Sequence, residues 1–232
     1  MRLFVFVFSL FVFEAMSAQN VDILKADSLF SREQYTQAQE AYEALYENDE
    51  VSASMLLKMA FIQEAIGDYS ETLFFLNQYY QLTADRSVIT KIEELASDKN
   101  LSGYRYDDGD YFLALINIYR IQIILSLSAL LLLSAAYIVS KSRNGGRAYG
   151  TFVMQVALSV SLLFLINLPE AAEGIVVMDQ TLLKSGPSAA AEPLRIIQKG
   201  HKVKIIEQNS VWMKIWWEGE EAYVRNNRVK II

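Results

Sequence analysis

The sequence predicts a multidomain membrane protein in three parts: an all-α helical repeat, a transmembrane helical hairpin and a small all-β barrel. Three observations carry this. Apolar residues recur at helical spacing through residues 21–97, a region without Pro. Residues 121–139 and 151–168 hold no charged side chain, and each run is long enough to cross about 30 Å of hydrocarbon. From Gly174 onward the helical period gives way to short β-branched runs separated by turn residues.

Composition removes several function classes. The chain has 232 residues, 53% apolar and 21% charged, a net charge of −6, no Cys and one His. Such a chain is neither disordered nor a simple soluble globule. Without Cys it has no disulfide framework, thiolate nucleophile or Cys-ligated zinc. His201 alone builds no His-rich metal site, and in its turn context it reads as a polar turn residue rather than a catalyst. No nucleophile–base pair, metal cluster or phosphate loop stands out, so no enzyme and no cofactor are expected. The net negative charge argues against nucleic acid as a partner, because phosphate binding needs a basic face.

Residues 1–18 read as a signal peptide. Met1 and Arg2 form a positive end, Leu3–Phe13 is an uncharged apolar run of eleven residues, and Ala18 suits a cleavage site, although Met16 at −3 is imperfect. Eleven residues cannot span a bilayer. Whether cleaved after Ala18 or kept as an N-terminal anchor, the segment directs the helical region after it out of the cytoplasm.

Residues 19–103 read as helices in pairs. Helical stripes run through Val21–Phe30, Ala38–Tyr46, Ser54–Ile66 and Thr72–Leu82. Tyr35 and Tyr69, 34 residues apart, occupy equivalent places in Glu33-Gln34-Tyr35-Thr36-Gln37-Ala38 and Gly67-Asp68-Tyr69-Ser70-Glu71-Thr72. This 34-residue helix–turn–helix repeat resembles the tetratricopeptide (TPR) family. The resemblance implies a tight turn at Gly67-Asp68, tyrosine rings buried between helices and a close helix approach at Ala38. Glu33-Gln34 in place of the turn glycine, Thr72 in place of the small residue, and Gln63 in place of an aromatic depart from the family pattern. Ser87–Ala96, with Val88, Ile89, Ile92 and Leu95 on one stripe, would cap the array, giving about five helices. The resemblance implies a protein partner on the concave face. With 6 Lys/Arg against 15 Asp/Glu in 19–103, the array either favours a basic or neutral partner or simply has a solvated acidic surface.

The hairpin comes after a juxtamembrane segment, 104–120, and consists of a span at 121–140, a loop at 141–150 and a span at 151–168. The loop carries Lys141, Arg143 and Arg147 and no acid, which makes it cytoplasmic by the positive-inside rule. Both flanking domains then lie in the periplasm or exterior of a bacterial inner (cytoplasmic) membrane, in agreement with the exported N-terminus. Neither span contains an ionisable group of the kind a carrier or proton relay needs, so the hairpin is read as an anchor.

Residues 174–232 offer five strand candidates, Gly174–Val177, Lys202–Glu207, Val211–Trp217, Glu221–Arg225 and Val229–Ile232, and suggest a small closed barrel of five or six strands. The stretches Leu183-Lys184-Ser185-Gly186-Pro187-Ser188, Lys199-Gly200-His201-Lys202-Val203-Lys204-Ile205, Val211-Trp212-Met213-Lys214-Ile215 and Ala222-Tyr223-Val224 resemble the bacterial SH3 (SH3b) family. Lys184 for Arg, Ala222 for Gly, Tyr223 for Trp and the longer loop at Ala189-Ala190-Ala191 are departures. Period-two alternation puts Val211, Met213, Ile215 and Trp217 on the core face, and Trp212, Lys214 and Trp216 on the other. With Tyr223 on the next strand, Trp212, Lys214 and Trp216 form the candidate ligand-binding patch, a groove for an extended peptide. The alternative for Trp212 is that it closes the barrel end. The resemblance implies a peptide ligand, with a cell-wall (peptidoglycan) stem peptide as one such ligand. Nine Lys/Arg against six acids make this module mildly basic, so docking on the acidic array is conceivable although nothing demands it.

The module order resembles membrane proteins of Bacteroidetes, in particular TPR–SH3 proteins of the Bat aerotolerance type. The expected function is a non-catalytic membrane-anchored scaffold presenting two interaction modules on the extracytoplasmic face. The alternative is an envelope stress or wall sensor that passes a signal laterally to a membrane partner.

Overall fold

The computed structural model of the chain describes residues 22–144, 149–168 and 172–232. The signal-peptide reading of 1–18 and the centre of the 141–150 loop lie outside the described residues. The chain divides into two compact units, one formed by the residues up to Arg105 together with Glu173–Ile232, the other by Tyr106–Ala172.

Among the described residues of the first unit five helices precede the sheet: α1 (22–31), α2 (Tyr35–Glu47), α3 (Ala53–Ile66), α4 (Tyr69–Thr83) and α5 (Ser87–Asp98). Their stripes match the apolar spacing. Ala38, Tyr42 and Leu45 are buried on α2, and Val88, Ile92 and Ala96 on α5. Tyr35 and Tyr69 each open the second helix of a pair, as the repeat spacing requires. The turns before them differ. Gly67 ends α3 at φ +83, and Asp68 caps α4 by accepting from the Ser70 and Glu71 amides. Thirty-four residues earlier, Glu33 is forced into the same left-handed region at φ 60, and Gln34 caps α2 without a side-chain hydrogen bond. The second pair is therefore built with favourable residues and the first with a strained one. Ion pairs tie neighbouring first helices: Lys58 to Asp27 at 2.6 Å and Lys91 to Glu64 at 2.5 Å.

The tyrosine rings are placed differently from expectation. Tyr35 is half-buried, edge-on to Phe30 and near Phe61. Tyr69 is also half-buried, because its ring packs against Gly200 of the β domain rather than wholly between helices. The ammonium of Lys199 lies 5.1 Å from the Tyr69 ring centroid.

Residues 173–232 form a seven-stranded antiparallel sheet: β1 (Glu173–Val176), β2 (Thr181–Lys184), β3 (Pro193–Ile197), β4 (Lys202–Gln208), β5 (Trp212–Trp217), β6 (Glu220–Arg225) and β7 (Val229–Ile231). The order is β3-β2-β6-β5-β4-β1-β7. Val176, Leu183, Ile197, Val203, Met213, Ile215, Val224 and Val229, one or two from every strand, meet in a single buried cluster. A flat sheet could not bring its two end strands into one core, so the sheet curls around it. Five or six strands were expected, and β2 and β3 are the additions. Both are short and flank the Ser185–Glu192 loop, and β3 opens with Pro193, a residue tolerated at a strand start but one that weakens a strand signature.

Array and barrel are joined within this unit. α4 packs on β1, and Ile175, fully buried though outside the barrel core, belongs to β1's other face. Lys202, also buried, pairs with Glu173 at 2.6 Å. Acidic residues at the start of α4 meet basic residues of the barrel: Lys230 of β7 lies 2.7 Å from Glu71 and over the Phe74 ring at 4.1 Å, and Lys199, in the turn before β4, lies 3.4 Å from Asp68. The strap after α5 completes the contact. Ser102 N–H donates to His201 Nδ1 (3.0 Å), Lys202 N–H donates to the Ser102 carbonyl (3.0 Å), and Tyr104 O–H donates to the Gly200 carbonyl (2.6 Å). Gly103, at φ +98, passes so close that a Cβ there would fall 2.2 Å from the Lys202 carbonyl oxygen. Tyr104 and Arg105, expected in a juxtamembrane segment at 104–120, thus belong to this unit because the strap is bonded to the barrel.

The second unit contains α6 (Asp108–Ile118), α7 (Arg120–Arg143) and α8 (Tyr149–Ile166). Asp107 and Asp110 form a reciprocal capping box at the start of α6. By length and apolar composition α7 and α8 are each able to cross a bilayer. Arg120 donates to the carbonyls of Ile166 and Leu168, and Ser134 donates to Gln155 at 2.8 Å, so the two helices run antiparallel.

The strained turn and the strap each have a measurable consequence. Glu33→Gly should raise the stability of the first unit by about 0.5–1 kcal/mol, read by thermal unfolding, because it relieves a left-handed non-glycine residue. A fall in melting temperature would count against the repeat equivalence. His201 has its pKa lowered by burial, which the Glu218 carboxylate only partly opposes. Its Nδ1 accepts from Ser102 and cannot do so when protonated. The strap contact should therefore be intact above about pH 6.5 and weaken as pH falls through the lowered folded value. Hydrogen exchange at Ser102 should accelerate between pH 7.5 and 5 after correction for intrinsic rates, and His201→Gln, which keeps an acceptor, should flatten that dependence.

Candidate functional site

Strand β5 presents alternate residues outward because successive side chains of an extended chain point to opposite faces. Met213 and Ile215 enter the core, and Trp212, Lys214 and Trp216 lie on the other face. Lys214 stands directly opposite Tyr223 on β6, which in turn stands opposite Lys184 on β2. Trp212 pairs with Arg225, and Trp216 with Glu221 on one side and Lys204 on the other. Trp212, Lys214, Trp216 and Tyr223 are thus gathered on one outer face, with Tyr223 diagonal to both indoles.

Their exposure is unequal. Trp216 is 45% exposed, but Trp212 is only 8% exposed. Trp212 therefore does not offer its indole to solvent, which corrects the reading of four solvent-facing residues. The cause is tertiary: Lys184 and Arg225, from β2 and β6, both lie over its ring, at 5.9 and 5.7 Å from the centroid. Lys184 is anchored by the carbonyls of Ala189 and Ala191, so the β2–β3 loop holds that cation in place. The alternative role, closing the barrel end, fits Trp212. Lys214 is not a free ammonium either; it meets Glu221 at 2.6 Å, and that hydrogen bond raises its pKa.

Trp217 lies against the core cluster, as alternation requires, yet it is only half-buried. Arg195 stacks 5.4 Å over its ring and pairs with Glu218, and His201 meets it edge-on at 5.4 Å. The indole N–H of Trp217 is buried without a hydrogen-bond partner among the described residues. Val211, expected on the core face, is exposed because it precedes the strand.

Sequence reasoning missed Lys184 and Arg225 as members of the site. The signal for Arg225 was present, since it lies two residues beyond Tyr223 and shares its face. Lys184 stands in the Leu183–Ser188 stretch that resembles the family, but only the pairing of β2 with β6 brings it beside Tyr223 and Trp212. Among the described residues no group of three or more carboxylates and imidazoles converges to hold a metal ion.

Residues 181–230 match the family described as bacterial SH3 domain, a type of module that binds protein or peptidoglycan. The match runs from β2 into β7, about a fifth of the chain, and includes every residue of the candidate face. No curated protein and no solved structure gives a significant match to the chain.

Stability measurements separate the three tryptophans. Trp212→Ala and Trp217→Ala should each cost about 3 kcal/mol, since each removes a ring packed on several neighbours. Trp216→Ala should stay within roughly 0.5 kcal/mol of the parent, as for a surface substitution. If Trp216→Ala unfolds the barrel and Trp217→Ala does not, the register of β5 is off by one.

Proposed function

We propose that the protein is a non-catalytic, membrane-anchored scaffold. The helices α7 and α8 anchor it in a bacterial cytoplasmic membrane. Array and barrel stand on the extracytoplasmic face, and the Trp212/Lys214/Trp216/Tyr223 face of the barrel binds an extended protein segment or cell-wall peptide. The observation that carries this reading is the exposed ring of Trp216 beside Lys214 and Tyr223 on the outer face of β5 and β6. Elsewhere on the barrel α4 packs on β1, Glu71 pairs with Lys230, and the strap bonds the turn before β4 through Tyr104 and Glu218 through Ser102. An exposed aromatic beside half-buried polar groups is how peptide-binding surfaces concentrate their affinity. The family match over 181–230 supports the same reading, and so does the module order that resembles Bat-type proteins.

The anchoring arrangement has support of its own. The segments before and after the hairpin pack as one unit, which is consistent with a hairpin whose two ends lie on the same side of a bilayer. The cations at Lys141, Arg143 and Arg147 favour a cytoplasmic turn. The paired helices retain a TPR-like role for a protein partner. The strap through His201 favours the sensor as a second reading, because a change at the barrel would reach the array through Ser102 and Tyr104.

Alkaline phosphatase fused after Ile232 should be active and fused within 144–148 inactive; the reverse pattern would place both modules in the cytosol. With the full chain in detergent, Trp216→Ala should weaken binding of peptidoglycan stem peptides or extended peptides by about 1–2 kcal/mol at unchanged melting temperature. If the parent chain binds none of them, the barrel is a structural terminus and the scaffold rests on the array alone.

A further inference from the structure

The candidate face carries charge in a pattern that would discriminate between peptides. Its two ends differ. At one end Trp216 is open to solvent, with Glu221 and Lys204 flanking it in register. In the middle Lys214 is paired with Glu221, so that charge is already compensated. At the other end Lys184 and Arg225 converge on the Trp212 ring, and among the described residues neither is paired with a carboxylate. The ammonium of Lys184 is held by two neutral carbonyls, of Ala189 and Ala191. Two cations drawn to one indole repel each other, and a bound anion would turn that repulsion into attraction. Arg225 is an exposed residue, and its guanidinium is the planar fork that matches a carboxylate. Trp212 and Trp216 are four residues apart on one strand, a separation of about 13 Å, or roughly four residues of an extended ligand.

We propose that this face is selective for a peptide carboxylate: an extended segment of about four residues lies along β5, its carboxylate at Arg225 and Lys184 and an apolar side chain on Trp216. The proposal rests on the peptide-binding reading above and adds the ligand's charge, polarity and length. A C-terminal carboxylate and a side-chain carboxylate supply the same chemistry, and the test separates them.

The probes are three N-acetylated peptides: Phe-Ala-Ala-Ala as the free acid, the same peptide as its amide, and Phe-Ala-Ala-Glu amide. Each is titrated against the full chain in detergent by calorimetry. The free acid, the Glu amide or both should bind about tenfold or more tightly than the neutral amide, as expected for a charge-assisted hydrogen bond. Which of the two gains affinity identifies the source of the carboxylate. Arg225→Gln should abolish the preference for the carboxylate-bearing peptides over the neutral amide, with melting temperature confirming the fold. Lys184→Gln carries the same expectation if Arg225→Gln proves unstable. Lys204→Gln removes a cation beside Trp216 and should preserve the preference. Equal loss in Lys204→Gln would mean that overall charge, not this site, selects the ligand, and the proposal falls. If acid and amides bind alike while Trp216→Ala weakens all three, carboxylate selection is wrong and the peptide-binding reading stands. If none of the peptides binds the parent chain, both fall together.

Discussion

Helix α4 is the element on which the first unit depends. Ser70, Thr72, Leu73, Phe74, Phe75, Leu76, Asn77 and Tyr80 are all buried, so it is covered on more than one side. A helix at the surface of an array needs a single apolar stripe, whereas one buried around most of its circumference needs neighbours on several sides. The helix pair and α5 provide some of them and β1 provides another. Two of its polar members bond locally: Thr72 donates to the Asp68 carbonyl, and Asn77 to that of Leu73. This double packing makes the array and the barrel one body, although the chain leaves that body for 67 residues between them.

Charge reinforces the apolar contact. The array is acidic and the barrel basic, and their complementarity is used at Asp68–Lys199 and Glu71–Lys230. For Asp68, burial works to raise the pKa, but hydrogen bonds from Ser70 and Glu71 and the nearby Lys199 outweigh it and hold the carboxyl below its ordinary value. These partly exposed pairs contribute modestly, and their main effect is to orient. Register at the joint is set by the strap, where Gly103 allows backbone to lie against backbone and His201 presents an unprotonated nitrogen to Ser102.

The docking takes up β1, the turn before β4 and Lys230, while Trp216 on the outer face of β5 stays 45% exposed. Across that face the side chains change character from an open indole at Trp216, through the compensated Lys214–Glu221 pair, to the two cations over Trp212. Alternation along one strand and pairing with its neighbours are together sufficient to build this gradient.

The sequence by itself determined whatever depends on neighbours a few residues away. Helical spacing located α2 to α5, the turn at Gly67-Asp68 and the equivalence of Tyr35 and Tyr69, and the uncharged runs located α7 and α8. Strict alternation in β5 placed Met213 and Ile215 inward and Trp216 outward. Tertiary structure alone decided what depends on residues far apart in the chain. Trp212 is buried because cations arrive from β2 and β6, Tyr69 is shared with the barrel because Gly200 lies against it, and His201 is a structural acceptor because the strap at Ser102 reaches it across 99 residues. The periodicity of a segment records which of its faces is apolar, and it carries no information about which distant element will cover that face.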